Sequence, residues 1–431
     1  MKLLVDQSRL LGTVPIPGSK SHTIRGVAIA SLADGTSTIR HPLISGDTMS
    51  AVSCFRELGA DIDTESPNEW TITGTGGSIH VPDEPIDVGN SGTTLRIAAG
   101  TAALATGSKP IVLTGDHQIQ SRPIEPLLQS LSDLGAMAKS IKGNGMAPIS
   151  VQGRMRGGDT AIECMTSQYL TSLLMAAPLA DNKTRIAVTL LNEPDYVQMT
   201  LDWLDKQGIL YDNYNLQRFE ITGGQRYKPF DLPIPADFSS ATFFLCAGAI
   251  LDANITLTGL DFTDSQPDKI VADYLENMGA DIRVDGNRVR IRRSELKGVD
   301  IDMNRTPDAL PAMAVVGAFA SGTTRLLNVP QARKKETDRI ACMAAELTKL
   351  GIETEELPDG LVIHHCKKIK PAALSGHHDH RIVMALSLAL MSRGSVGGSI
   401  DTAEAINVTF PEFVTLMRAL GANMKLSESD E

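Results

Sequence analysis

Two kinds of stretch recur along the chain. In the first, a short polar cluster leads into a long apolar run. TIRGVAIASLA follows PGSKSH, and LTSLLMAAPLA follows CMTSQY. LPAMAVVGAFA follows RTPDA, and IVMALSLALM follows GHHDHR. These runs read as strongly apolar helices, and the last two as helices buried all round. In the second kind, an apolar helical stretch ends at a glycine and a strand-like stretch begins. It occurs as FRELGADID at Gly59, LSDLGAMAK at Gly135 and LDKQGILYD at Gly208, then as LENMGADIR at Gly279, LTKLGIETE at Gly351 and MRALGANMK at Gly421. A glycine just past a helix supplies the left-handed conformation of a C-terminal cap at little steric cost.

Six copies at intervals of about seventy residues are an internal repeat. Each marks a unit of mixed helices and strands, close to a βαβ-type block, which places the chain in the α/β class. Six units divide into three plus three. The proline-bearing stretch Tyr227–Ala241 lies between the third and fourth joints and is the expected boundary. The apolar run Leu10–Ile16 precedes the first helix and can belong to the other half. The expected domains are therefore 1–17 with 234–431, and 18–233. Two lobes joined by two crossings would leave a cleft, where small ligands usually bind.

The bulk numbers add exclusions. The chain has 431 residues, 42% hydrophobic and 21% charged, with a formal net charge of −11. An acidic surplus argues against nucleic-acid binding. No apolar run is long enough for a membrane span. Asp6 and Arg9 break any signal-like core near the start, so a cytoplasmic protein is expected. The five scattered cysteines lack CxxC spacing and read as small buried thiols rather than disulfides or a zinc site. His377, His378 and His380 lack ligand spacing, so no metal is expected.

Against that background each basic cluster needs a reason. Ser19 or Ser21 can cap the first apolar helix, with Lys20 at its mouth and Arg25 about one turn on. Asn90, Ser91 and Gly92 form a turn into another helix that carries Arg96. Arg122 stands before a proline suited to a first helical turn. Thr166, Ser167 and Gln168 open a further helix, as plain caps or as a cradle for phosphate or sugar-like hydroxyls. Asp308 is a cap or a base. Lys335 and Arg339 are four apart and would share a face if that stretch is helical. Asp379, His380 and Arg381 open the last apolar helix. Lys20, Arg122, Lys335, Arg339 and Arg381 all lie beside apolar helix starts, where unpaired N–H groups and the dipole attract anions. The ligand should carry several negative charges.

PGSKSHTIR, GNSGTTLR, SRPI, TSQYLTSLLMAAPLA, NRTPDA, KKETDRI and DHRIVMALSLA, in that order, resemble the EPSP synthase branch of the enolpyruvyltransferase family. The resemblance runs from about Leu11 to Phe413. It implies a two-lobed inside-out α/β barrel of six βαβαββ repeats, three per lobe, with the active site in the interlobe cleft. It implies transfer of the enolpyruvyl group of phosphoenolpyruvate to the 5-hydroxyl of shikimate 3-phosphate, with release of phosphate. A monomer without metal or organic cofactor is expected.

Residue by residue, the resemblance assigns phosphoenolpyruvate to Lys20, Gly92, Arg122, Gln168, Arg339 and Arg381. It assigns shikimate 3-phosphate to Lys20, Ser21, Arg25, Thr166, Ser167, Gln168, Asp308 and Lys335. Asp308 would take the hydroxyl proton, Glu336 would protonate the methylene carbon, and Lys20 would assist. Gly92 resembles the small residue that leaves room for glyphosate. The loop cysteine of the sister enzyme acting on a UDP-sugar is missing near SRPI, and a non-catalytic anion-binding protein is the other alternative. Two positions depart from the pattern. NEPDY places Glu193 where a serine touches the 3-phosphate, so Glu193 should point away or the local site should differ. Val408 stands where many members carry a lysine.

Overall fold

The computed structural model describes residues 1–392 and 394–428. The chain divides into two compact units, Gly18–Ile234 and Met1–Pro17 with Pro235–Glu431. Each unit has its own apolar core.

In Gly18–Ile234 the helices are α1 (Lys20–Leu32), α2 (Gly46–Glu57), α3 (Gly92–Ala102), α4 (Glu125–Asp133), α5 (Ser167–Ala176) and α6 (Pro194–Gln207). Every residue of α3 is buried, as are nearly all of α1 and α5. α2, α4 and α6 each keep an exposed side. The other unit repeats this division. Its helices are α7 (Phe238–Ile250), α8 (Val271–Met278), α9 (Leu310–Phe319), α10 (Arg339–Lys349), α11 (His380–Met391), α12 (Ile406–Thr409) and α13 (Phe413–Ala419). Here α7, α9 and α11 are the buried ones. The difference follows from sequence: the buried helices are apolar or small-residue on all faces, while the others carry a polar stripe.

Among the described residues the strands form six four-stranded sheets, three in each unit. All six share one plan, a parallel pair at one side and an antiparallel pair at the other, which is a hairpin in five of them. Strand residues alternate accordingly: EWTIT at Glu69–Thr73 and RVRIR at Arg288–Arg292 bury every second side chain.

Two strands pair, each within its own unit, with partners far along the chain. Arg9–Pro15, just before α1, pairs in parallel with Asp252–Thr258. Asp231–Pro233, just before α7, pairs in parallel with Thr36–Arg40. Lys2–Val5 pairs antiparallel with Met424–Ser427, completing the last sheet from the opposite end of the chain.

The six glycine joints lie just beyond α2, α4, α6, α8, α10 and α13. All have positive φ, from +69° at Gly208 to +107° at Gly59 and Gly135. Each is followed within a few residues by a strand. The cysteines depart partly from expectation. Cys54, Cys164 and Cys246 are buried, but Cys342 and Cys366 are partly exposed because they lie at the edge of their core. Burial pushes the Cys54 and Cys164 thiols up to about 12, which keeps them protonated and inert.

No atom would lie within 4 Å of a Cβ added at Gly208, so its left-handed backbone is tested there without a clash. Gly208→Ala is expected to lower the unfolding free energy by about 1 kcal/mol, and Gly208→Asn by less. Urea unfolding measures this, and an unchanged Gly208→Ala would contradict the cap.

Candidate active site

In Gly18–Ile234 the polar groups gather at the starts of α1, α3 and α5. Ser19 is the N-cap of α1, its hydroxyl accepting from His22 N, while Ser21 lies one residue inside the helix beyond Lys20. The Lys20 ammonium is held 2.9 Å from Asp47 Oδ2, at the start of α2. Arg25 is fully buried. Its guanidinium donates to Thr200 and Thr171 hydroxyls and to the Ser21 and Tyr196 carbonyls, which uses four of its five N–H groups. All these partners are neutral, and burial lowers the Arg25 pKa to about 10.

Gly92 is the first residue of α3, capped by Ser91. A Cβ placed on it would stand 2.4 Å from Arg96 Nη1, 2.9 Å from Arg122 Nη1 and 3.6 Å from Gln168 Oε1. The structure thus brings Gly92, Arg122 and Gln168 together and adds Arg96. Arg122 donates to Asn90 Oδ1 at 3.2 Å, Arg96 to the Pro123 carbonyl at 3.0 Å, and Gln168 to Thr93 at 3.1 Å. One local expectation fails. Pro123 lies outside α4, which starts at Glu125 with Ile124 as N-cap and Pro126 in its first turn. Pro123 instead bridges to Met146, so the chain stays extended there.

Thr166 caps α5. Glu193 does not point away from this helix start. Its side chain is buried, and Oε2 accepts from Thr166 Oγ1 at 3.1 Å, Ser167 N at 3.2 Å and Ser167 Oγ at 2.8 Å. The donors at the start of α5 draw the carboxylate inward, and the backbone at Glu193 turns left-handed to deliver it. The local site differs from the family pattern in this respect.

The second unit holds a cluster of opposite make-up, with three carboxylates meeting three cations. Arg339, at the start of α10, is its hub. It donates to Asp308 Oδ1 at 2.7 Å, to Glu336 Oε2 and, bidentately, to Asp379 at 2.8 and 3.3 Å. Arg381 reaches Asp308 Oδ2 at 3.2 Å and the Ser239 hydroxyl at the start of α7 at 2.7 Å. Lys335 Nζ is 3.7 Å from Asp308 Oδ1. Lys335 and Arg339 do not share a helix face, because Asp338 caps α10 and leaves Lys335 in the preceding irregular segment. They meet through Asp308 instead.

Burial alone would raise the Asp308 pKa. Arg381, Lys335 and Arg339 outweigh it and hold the carboxyl far below the usual range. For Arg339, burial is likewise outweighed by Asp379, Glu336 and Asp308, and its pKa is raised.

The three neighbouring histidines diverge. His377 Nε2 lies 2.8 Å from Glu346, His378 faces Glu404 at 3.9 Å, and His380 is buried beside Asp379. Val408 is half-buried on α12. Site members that sequence reasoning passed over are Asp47 and Ser239, and Asp379 was noted at its helix start but without its bond to Arg339. A carboxylate or hydroxyl at a helix start was the available signal, but it reads as a cap unless its cation is in view.

The family profile described as EPSP synthase (3-phosphoshikimate 1-carboxyvinyltransferase) matches residues 5–417. The 3-phosphoshikimate 1-carboxyvinyltransferase of Acetivibrio thermocellus is 52% identical over 429 residues, covering 99% of this chain and all of that protein. That of Ruminiclostridium cellulolyticum is 50% identical over 427 residues, with 99% and 100% covered. A solved EPSP synthase from Acinetobacter baumannii superposes with a TM-score of 0.81 at 26% identity, covering 99% of this chain and all of that one. With a profile match over nearly its whole length and half its residues shared with full-length relatives, the chain belongs to the EPSP synthase family.

Proposed function

We propose that the two clusters serve one pair of substrates, each unit supplying part of the contacts. The reaction is enolpyruvyl transfer from phosphoenolpyruvate to the 5-hydroxyl of shikimate 3-phosphate, by addition and then elimination of phosphate. The six sheets of one plan, three per unit, support the inside-out barrel of six βαβαββ repeats. We read the active form as a cytoplasmic monomer. Among the described residues, no helix is long and apolar enough to cross a membrane.

The observation that carries this reading is Asp308, held at once by Arg339, Arg381 and Lys335. In that state the carboxylate is ionised but a weak base. When the phosphate and carboxylate of phosphoenolpyruvate draw these cations away, Asp308 loses the interactions that depress its pKa. It then becomes basic enough to take the proton from the attacking hydroxyl. Glu336, on the same arginine, delivers a proton to the methylene carbon and removes one as the tetrahedral intermediate collapses. Gly92, Arg122, Gln168 and Lys20 hold phosphoenolpyruvate with Arg339 and Arg381. Ser21, Arg25, Thr166, Ser167 and Gln168, with Lys20, Asp308 and Lys335, hold shikimate 3-phosphate. Guanidinium groups aimed at the departing phosphate stabilise charge where it develops.

His380 is not a cation in this scheme. Burial lowers its pKa to about 3, against the pull of Asp379. Below about pH 6.5 the unfolded chain therefore takes up a proton that the folded chain refuses until about pH 3. Stability falls as pH falls through that window, by up to about 1.4 kcal/mol per pH unit.

Three outcomes follow for measurement. Both substrates together should release phosphate, and Glu336→Gln should cut that rate by about a hundredfold or more. A parent enzyme that binds shikimate 3-phosphate without turnover would overturn the reading. Gly92→Ala pushes its methyl into Arg96 and Arg122, so the KM for phosphoenolpyruvate should rise by about tenfold or more, with shikimate 3-phosphate little affected. His380→Gln should flatten the loss of stability between pH 7 and 5 in urea unfolding; parallel slopes would show that the histidine titrates normally.

A further inference from the structure

The start of α5 already holds an anion, the carboxylate of Glu193. We propose that Glu193 is a displaceable internal stand-in for the substrate phosphate, and that it sets the affinity for shikimate 3-phosphate. The proposal rests on the assignment of Thr166 and Ser167 to that substrate.

Hydrogen-bond inventory carries the argument. A hydroxyl has one proton to donate. The Ser167 proton goes to Glu193 Oε2, and so does that of Thr166. Thr166 also accepts from Gln168 N at 3.5 Å, so its hydroxyl is used in both directions. The Ser167 backbone N–H points at the same carboxylate oxygen. Three donors therefore converge on one oxygen, as they would on one oxygen of a phosphate. With Glu193 seated, Thr166 and Ser167 offer an incoming ligand only lone pairs. A phosphate dianion has only acceptors to bring, and it would also meet a like charge. Two anions do not share these donors, so the phosphate binds as the carboxylate leaves.

The surrounding elements fit an exchange. Glu193 is the N-cap of α6, and its side chain makes no capping hydrogen bond to that helix, so its departure costs α6 no side-chain cap. The neighbouring turn is held separately, by Asn192 N to the Cys164 carbonyl and by Asn192 Nδ2 to the Met165 carbonyl. Arg25 links α1 to the first turn of α6 through the Tyr196 carbonyl, placing a buried cation one turn from the exchange point. Tyr169 and Cys164 also face Glu193, and both are kept neutral by burial, with their pKa values raised. Exchange therefore replaces one anion by another at the same donors.

The test compares the parent with Glu193→Gln and Glu193→Gly. Glutamine keeps the shape and an acceptor but removes the charge; glycine suits the left-handed backbone if glutamine disturbs folding. In steady-state assays both variants should lower the KM for shikimate 3-phosphate by about tenfold, because a charged competitor is gone. Both kcat and the KM for phosphoenolpyruvate should stay within about twofold. Calorimetry with inorganic phosphate alone should show the same gain in affinity, and it reads the exchange even if turnover is absent. Absence of turnover in the parent would defeat the proposed reaction but not this exchange. A KM for shikimate 3-phosphate that is unchanged or higher in both variants would overturn the proposal. So would equal falls in both KM values, or phosphate affinity unaltered by Glu193→Gln.

Discussion

Complete burial of six helices is the constraint on which the rest depends. α1, α3 and α5 in one unit and α7, α9 and α11 in the other have almost no exposed flank. A helix enclosed on its sides places costly polar groups mainly at its ends, and the charged interior exceptions, Arg25 and Arg96, are hydrogen-bonded where they lie. Its first turn has backbone N–H groups without helical partners and a partial positive charge, so caps, cations and anions collect there. Ser19, Ser91, Thr166 and Asp379 are caps of this kind, and Lys20, Gly92, Ser167 and Arg381 stand within two residues of them. The chemistry of the chain is therefore concentrated by packing.

The two units meet this demand with different charge balances. Around Gly92 the arginines lean on carbonyl and amide oxygens, and Arg25 is held wholly by neutral groups. Around Arg339, carboxylates answer cations nearly one for one. Removing one partner from such a buried network leaves an uncompensated charge, which is strongly unfavourable. In the proposed mechanism an anionic substrate avoids that cost by taking over the cations' bonds as it enters. On that proposal, substrate binding and the rise of Asp308 basicity are the same event.

Local signals in the sequence were read well and distant ones poorly. The six glycine caps depend on a few adjacent residues, and all six have the left-handed backbone that the pattern implied. The pattern also brought out four apolar runs, which are the buried α1, α5, α9 and α11, and the polar clusters at their starts; the buried α3 and α7 were not among them. Hidden from it was anything decided by a partner far along the chain. Asp47 holds Lys20 from 27 residues away. Asp379 grips Arg339 from 40 residues away. Lys335 and Arg339 converge on Asp308 although helical spacing had suggested a shared face. Glu193 was expected to point away or to mark a different local site, and the second outcome holds: the hydroxyl and backbone donors at the start of α5 bind its carboxylate, which arrives from 26 residues further along the chain.

The central claim is that cations from both units act on one substrate pair. A crystal structure of the protein with shikimate 3-phosphate and an unreactive phosphoenolpyruvate analogue tests it most directly. The account predicts one analogue molecule within hydrogen-bond distance of both Arg122 and Arg381, with Asp308 released from at least one of its three cations. An analogue held by residues of one unit alone, with all three Asp308 contacts intact, would contradict it.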